Sequence, residues 1–333
     1  DLYSAFVWVF HTCELRSMAS ITSNTGIPIV DLQTVGLGHS EEPTRETWLQ
    51  IGKQLSQAFS DIGFVYITRH GISDDLVKAV NDSADEFFAQ SQAVKIRYNR
   101  GIDEIQGYTS INREKLAQED VPPELRESYD VHRKTGAFPD ELVPSFRPQV
   151  CSLMEALHQL TKRLLTALEH GLGLEANYLR TRHSDIFDEN NGTTLRILHY
   201  PSVPADAPAA TIRCGEHTDY GTITILLQDN MGGLEVLNKS EQWVPATPIT
   251  GALLINVGDL LQMWTSNLFI ATKHRVLVPE SEQKQRCVRR SMAFFVHPNN
   301  DVIITPLDGS EPLEPPVSAK QHLDMRFTQT YQY

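Results

Sequence analysis

The stretch HTDYGTITIL sets His217 two residues before Asp219 at the mouth of a β-rich run. Imidazole nitrogen and carboxylate oxygen both ligate divalent first-row metals, and residues i and i+2 share a face only where the chain is extended. An H-x-D triplet alone carries little weight: 12 histidines and 20 aspartates in 333 residues predict about 0.7 of them by chance. Three occur, His183/Asp185, His217/Asp219 and His322/Asp324, and only the second opens directly into a β-rich run. The first follows a Leu-Arg-Thr-Arg segment that reads as a helix end, and the third lies in the C-terminal tail with no histidine after it. Both of these read as solvated polar pairs.

A facial metal site needs a third ligand, a second imidazole brought in from a distant strand. His274, in KHRVLV, lies 55 residues beyond Asp219 with several strands between them. A lone histidine in a strand is more often a packed residue than a ligand. What favours His274 is the segment beyond it, RRSMAFFVHP, which places Arg289 and Ser291 on one face of the next strand. A guanidinium beside a hydroxyl can hold a carboxylate end-on. Two neutral imidazoles and one carboxylate suit Fe(II) and leave three octahedral vertices open.

The elements that must position these residues fall into two halves. IPIVDL, from Ile27 to Leu32, reads as a short strand. Trp48, Ile51, Leu55 and Phe59 recur at helical spacing, and GFVYITRHGI reads as a strand closed by Gly71. Ser73 is placed to cap a helix with the stripe Leu76, Val77, Val80, Ala84, Phe87 and Phe88. Residues 101–148 read as irregular, broken by Pro122, Pro123, Pro139 and Pro144. A long helix then keeps its stripe from Val150 to Leu168 until Gly171 and Gly173 end it. Beyond residue 190 the period becomes strand-like in TTLRILHY, TITILLQ, LEVL, ALLINV, KHRVLV and SMAFFVH. Helices followed by many short strands predict a mainly β fold, a sandwich or barrel backed by a helical layer, in one domain.

Composition narrows the function. The 333 residues, 41% of them hydrophobic, can bury a substantial core. A net charge of −13 with scattered Lys and Arg gives no footprint for a nucleic acid. Cys13, Cys151, Cys214 and Cys287 show no C-x-x-C spacing, which argues against a disulfide framework or thiolate zinc and fits a reducing, cytoplasmic setting. The apolar run SAFVWVF is only seven residues long, too short for a membrane span, so no membrane partner is expected. Met18 followed by Ala-Ser is a candidate natural start, which would make residues 1–17 an added or upstream segment.

Taken in order, HTDYGTITILLQD, GALLINVGDLLQMWTSNLFIATKHRV and R-x-S within RRSMAFFVHP resemble the Fe(II)/2-oxoglutarate-dependent dioxygenases of the isopenicillin N synthase-like group. The likeness takes in IPIVDL, GFVYITRHGI, GYTS and ESYDV, and so spans roughly residues 27 to 333. The resemblance implies a double-stranded β-helix (jelly-roll) core backed by helices. It implies that His217, Asp219 and His274 bind Fe(II) and that Arg289 and Ser291 bind the distal carboxylate of 2-oxoglutarate. Tyr200, in a strand reading L-H-Y-P where the family has N-Y-Y-P, helps hold the cosubstrate, whereas Leu198 replaces the asparagine. Tyr108, Tyr129, Trp264, Arg113 and Leu234 lie in segments that line the substrate cavity in relatives. Asn256, Gly258 and Asp259 read as turn chemistry, and His199 and His297 as structural.

The implied activity is oxidation, by hydroxylation foremost, of a small molecule, coupled to decarboxylation of 2-oxoglutarate with O2 and open to stimulation by ascorbate. The rivals are a 2-oxoglutarate-independent oxidase of the same fold and a catalytically inactive metal-binding protein. The expected organisation is an N-terminal extension over residues 1–26 and a single domain over 27–333. Within that domain, 27–190 form a helical and N-terminal layer, 191–310 the jelly-roll core and 311–333 a C-terminal tail.

Overall fold

In the computed structural model, residues 22–23, 26–101, 104–111, 124–188, 191–204, 206–208, 211–278, 281, 285–312 and 315–330 are described. Most of the expected N-terminal extension, Arg113, and parts of the VPESEQKQR segment lie outside them. Helix α1 (Arg45–Asp61) buries Ile51, Leu55 and Phe59, and Thr44 caps it by accepting from the Thr47 amide. Helix α2 (Asp74–Phe88) buries Val80, Ala84, Phe87 and Phe88; Ser73 occupies its N-cap position but makes no side-chain capping bond. The short helix α3 (Gln92–Lys95) follows, and helix α4 (Phe146–Leu172) runs 27 residues to Gly173, whose φ of 66° is the left-handed end that glycine favours. Pro148 falls within the first turn of α4, where its missing N–H has no helical partner to lose. Three further helices are α5 (Tyr178–Thr181), α6 (Asp259–Trp264) and α7 (Ala319–Thr330).

The strands form two facing sheets and a small ribbon. The larger sheet runs in the order β1 (Ile29–Asp31), β2 (Phe64–Thr68), β10 (Leu253–Val257), β7 (Ile223–Gln228), β12 (Arg289–Val296), β5 (Thr194–Tyr200), β4 (Glu127–Val131) and β3 (Gly107–Thr109). The smaller runs β6 (Ile212–His217), β11 (His274–Leu277), β8 (Leu234–Leu237) and β9 (Trp243–Pro245). The ribbon pairs β13 (Ile303–Ile304) with β14 (Val317–Ser318). Only β1 and β2 are parallel among the described pairings. From β5 to β12 the chain winds between the sheets, which is the jelly-roll expected.

The two-residue strand period decides what reaches the space between the sheets. Leu195, Ile197, Ile223, Ile225, Met292 and Phe294 point to the helical layer and join its core. Their neighbours Thr194, Arg196, Leu198, Thr224, Leu226, Ser291, Ala293 and Phe295 line a cavity between the sheets. A one-residue slip of β12 would exchange the two sets.

The segment 101–148, read as irregular, carries β3 and β4, which complete one edge of the larger sheet. The strands before residue 191 supply four of the eight in that sheet, so it extends across the expected line between N-terminal layer and core. Among the described residues no helix is long and apolar enough to cross a membrane.

Helices α1 and α4 meet at two glycines. A β-carbon on Gly52 would lie 2.1 Å from the Ala167 carbonyl oxygen and 2.6 Å from the Gly171 nitrogen. Gly52→Ala gains about 1 kcal/mol of helix propensity but forces a backbone separation that costs about 1–3 kcal/mol. The clash wins, because the obstructing atoms are main chain. Urea denaturation is expected to show a net loss of stability, and a more stable variant would refute the close approach.

Candidate active site

His217 ends β6 and His274 begins β11, and the two are register partners across the antiparallel pair. Their ring centroids are 4.2 Å apart. Asp219 lies two residues past the end of β6, in the connection to β7, so the H-x-D pair straddles a strand end rather than sharing one strand face. The connection is held by close backbone packing. Asp259 donates its amide to the Asp219 carbonyl at 2.7 Å, and a β-carbon on Gly258 would lie 2.3 Å from the Gly221 carbonyl oxygen. Asp219 Oδ1 thereby comes 3.8 Å from His217 Nε2 and 3.7 Å from His274 Nε2. One ligand atom from each of the three residues falls within 4.8 Å of the others, the spacing of a shared metal ion.

The remaining polar atoms of the triad are committed elsewhere. His217 Nδ1 faces the Gly215 carbonyl at 2.8 Å, and His274 Nδ1 faces that of Thr272 at 3.1 Å. Each Nδ1 must donate there, which leaves both Nε2 lone pairs aimed inward. Asp219 Oδ2 accepts from Asn256 Nδ2 at 2.6 Å, and Thr224 adds a second side-chain donor. Burial pushes both imidazoles down, His274 to about 4. For Asp219, burial alone would raise the carboxyl; the two imidazoles and the donors from Asn256 and Thr224 outweigh it and hold it below the usual range. At neutral pH the triad is thus two neutral imidazoles and a carboxylate, the protonation states that bind metal.

The cavity between the sheets is lined by the triad and by Arg289. Arg289 is fully buried, pairs in register with Tyr200, and stacks its guanidinium carbon 4.6 Å from that ring's centroid. Its Nε donates to the Gly232 carbonyl at 3.0 Å and its Nη1 to Ser291 Oγ at 3.2 Å. Leu198, opposite Ser291 in the sheet, presents an apolar wall there. Asp130, also in the lining, is held by Arg196 through bonds of 2.7 and 2.9 Å, with Arg100 at 3.5 Å. Leu323 and Phe327 of α7 close the wall beside the triad. That helix is pinned by Asp259, whose Oδ2 lies 3.3 Å from His322 Nε2 and 3.1 Å from Arg326 Nη1.

Several expectations are corrected. Tyr108, Tyr129 and Trp264 do not line the cavity. The two tyrosines are fully buried on the opposite side of the sheet around Phe87, at centroid distances of 5.8 and 5.2 Å, and Tyr108 donates to Glu127. Trp264 is buried against His183. His183 and His322 are buried rather than solvated: His183 bonds the Leu179 carbonyl and Thr222 Oγ1, and burial pushes it down to about 4. Asn256 lies in strand β10 and donates to Asp219, so it is more than turn chemistry. Leu234 does line the cavity, as does His297, which burial pushes to about 3. His199 contacts Glu127 at 3.0 Å and stacks on Phe88. Sequence reading also passed over Arg213, Leu323 and Phe327, none of which belongs to a spaced motif.

Residues 191–298 match the 2OG-Fe(II) oxygenase superfamily, and residues 27–149 match the family described as non-haem dioxygenase in morphine synthesis N-terminal. Gibberellin 20 oxidase 2 of Oryza sativa subsp. indica is 30% identical over 342 residues, 98% of this chain and 80% of that protein. The 2-oxoglutarate-Fe(II) type oxidoreductase ppzD of Metarhizium rileyi is 30% identical, covering 84% of this chain and 85% of that protein. Among solved structures, a full-length Neurospora crassa protein in complex with alpha-KG superposes with a TM-score of 0.79 at 28% identity, covering 91% of this chain and 96% of that one. The same Neurospora protein with alpha-KG and thymine gives 0.79 at 26% identity, covering 93% and 99%. This chain is an enzyme that requires Fe(II), 2-oxoglutarate and O2, and it belongs to the 2-oxoglutarate/Fe(II)-dependent dioxygenases.

Proposed function

We propose that His217, Asp219 and His274 hold the Fe(II), that Arg289 with Ser291 and Tyr200 holds the distal carboxylate of 2-oxoglutarate, and that the enzyme hydroxylates a small molecule. The observation that carries this reading is the inward convergence of both Nε2 atoms and Asp219 Oδ1, with each Nδ1 tied to the main chain. When bound, the metal supplies oxygen activation coupled to oxidative decarboxylation of 2-oxoglutarate. The chain supplies placement. Asn256 fixes the carboxylate, Arg289 fixes the far end of the cosubstrate, and Leu198, Leu226 and Val276 exclude water between them. The prime substrate binds in the part of the lining formed by Phe295, Phe327 and the Asp130–Arg196 pair; thymine in the Neurospora crassa complex supports a ligand of that scale. We read residues 27–333 as one domain, because the early strands complete the larger sheet. We read its location as cytoplasmic, because Cys151, Cys214 and Cys287 are thiols rather than disulfide halves.

Purified protein supplied with Fe(II), ascorbate and 2-oxoglutarate is expected to release succinate in an oxygen-dependent manner, more so with a substrate found by screening small molecules. Asp219→Ala is expected to abolish it. Oxidation without succinate would point to the 2-oxoglutarate-independent oxidase, and no turnover in any condition to an inactive metal-binding protein. Arg289→Leu is expected to raise the KM for 2-oxoglutarate roughly ten- to a hundredfold, the worth of one charge-assisted carboxylate bond; an unchanged KM would remove Arg289 from the site. Asn256→Ala, which frees Asp219 Oδ2, is expected to weaken Fe(II) affinity roughly ten- to a hundredfold, read by competition with a chelator. Equal affinity in variant and parent would show that Asn256 does not orient the ligand.

A further inference from the structure

The surroundings of Tyr200 and Arg289 hold more positive charge than the roles assigned above use. Arg213, on β6, is fully buried. Its Nη2 donates to the Cys287 carbonyl at 3.3 Å, while Nε and Nη1 are buried with no partner. Its guanidinium carbon lies 5.9 Å from the centroid of the Tyr200 ring, and that of Arg289 lies 4.6 Å from the same centroid. The hydrogen-bond partners of both guanidinium groups are carbonyls and one hydroxyl, and among the described residues neither bonds a carboxylate; Asp229 acts on Arg213 electrostatically, but its two oxygens accept from the Met231 and Arg290 amides. The other arginines of the lining differ: Arg196 and Arg100 share Asp130, and Arg126 pairs with Glu124 at 2.8 Å. A buried cation without an anion is strongly disfavoured. Two of them flanking one tyrosine describe a pocket shaped for negative charge.

Arg213 does not itself line the cavity, whereas Tyr200 and Arg289 do. We propose that Arg213 is a positioning residue which, acting through Tyr200, adds a second buried positive charge beside Arg289 and makes the pocket select 2-oxoacids whose far end is anionic. The inference rests on reading Arg289, Ser291 and Tyr200 as the 2-oxoglutarate pocket. A cation within about 6 Å of an aromatic centroid interacts with its π electrons. Drawing density from the Tyr200 ring makes its hydroxyl a stronger donor toward a carboxylate. The Arg213 charge also acts on that carboxylate directly across a region with little water to screen it. Neither effect operates on a 2-oxoacid that ends in a methyl group.

The probes are 2-oxoglutarate and 2-oxovalerate, which share a chain length and differ in carrying a carboxylate or a methyl at the far end. Binding of each to the Fe(II)-loaded enzyme is measured by calorimetry under nitrogen for parent, Arg213→Met and Arg213→Lys. Arg213→Met is expected to weaken 2-oxoglutarate about tenfold and leave 2-oxovalerate within about twofold, and Arg213→Lys to restore most of the preference. If Arg213 only ties β6 to Cys287, Arg213→Met weakens both acids in parallel or neither, and an unchanged ratio overturns the proposal. Should Arg213→Met fail to fold, Arg213→Gln, which keeps a donor but not the charge, is read on the same ratio. A parent that bound neither acid would sink the proposed function as well; a parent that binds 2-oxoglutarate, with a ratio indifferent to residue 213, sinks only this inference.

Discussion

Two imidazoles and a carboxylate, each costly to bury alone, are buried here face to face, and the rest of the molecule is arranged around that requirement. The pairing of β6 with β11 brings His274 opposite His217, and the tight connection after β6 returns Asp219 toward both. Each outward nitrogen and the second carboxylate oxygen has a partner, so the only unmet valences are those that face one another. Such a cluster is stable as a set of ligands and poorly suited to any other use.

The architecture converts this local arrangement into a reaction chamber by strand parity. The larger sheet sends its apolar residues to the helices and its mixed residues to the smaller sheet, so one secondary structure carries both the core and the site. Rigidity comes from the helical side, where α1 and α4 meet at backbone contact. Arg289 with Ser291, the histidine–aspartate triad and the ion-paired Asp130 and Arg196 all line the one chamber. A long, polar-ended cosubstrate and a second, smaller molecule can therefore share it.

What was legible in the sequence, and what was not, follows from how far each signal reaches. His217 with Asp219, and Arg289 with Ser291, stood out because each pair is a two-residue spacing whose meaning is local, whereas His274, 55 residues beyond Asp219, was picked out only by the Arg-x-Ser segment that follows it. Strands β3 and β4 were invisible because they are short, polar and set among prolines, and β4 is made a strand by β5, far along the chain. Tyr108 and Tyr129 were linked to the cavity only by resemblance, as packing was an equal alternative, and three to five residues give no readable parity without a partner strand to decide between the two. Asn256 passed for turn chemistry because Asn-Val-Gly-Asp has the composition of a turn. Its contact with Asp219 depends on β10 lying next to β7. Leu323 and Phe327 carry no motif at all, and only the return of α7 over Asp259 gives them a role.

Both histidines orient themselves on carbonyl oxygens two residues earlier in the chain, at Gly215 and Thr272. A main-chain acceptor survives any substitution at those positions, so the tautomer of either imidazole is protected from point mutation as a side-chain acceptor could not be. The carboxylate has no such insurance, since Asn256 and Thr224 are themselves replaceable. Replacing Asn256 or Thr224 therefore changes the surroundings of Asp219 alone and leaves the orientation of both imidazoles in place.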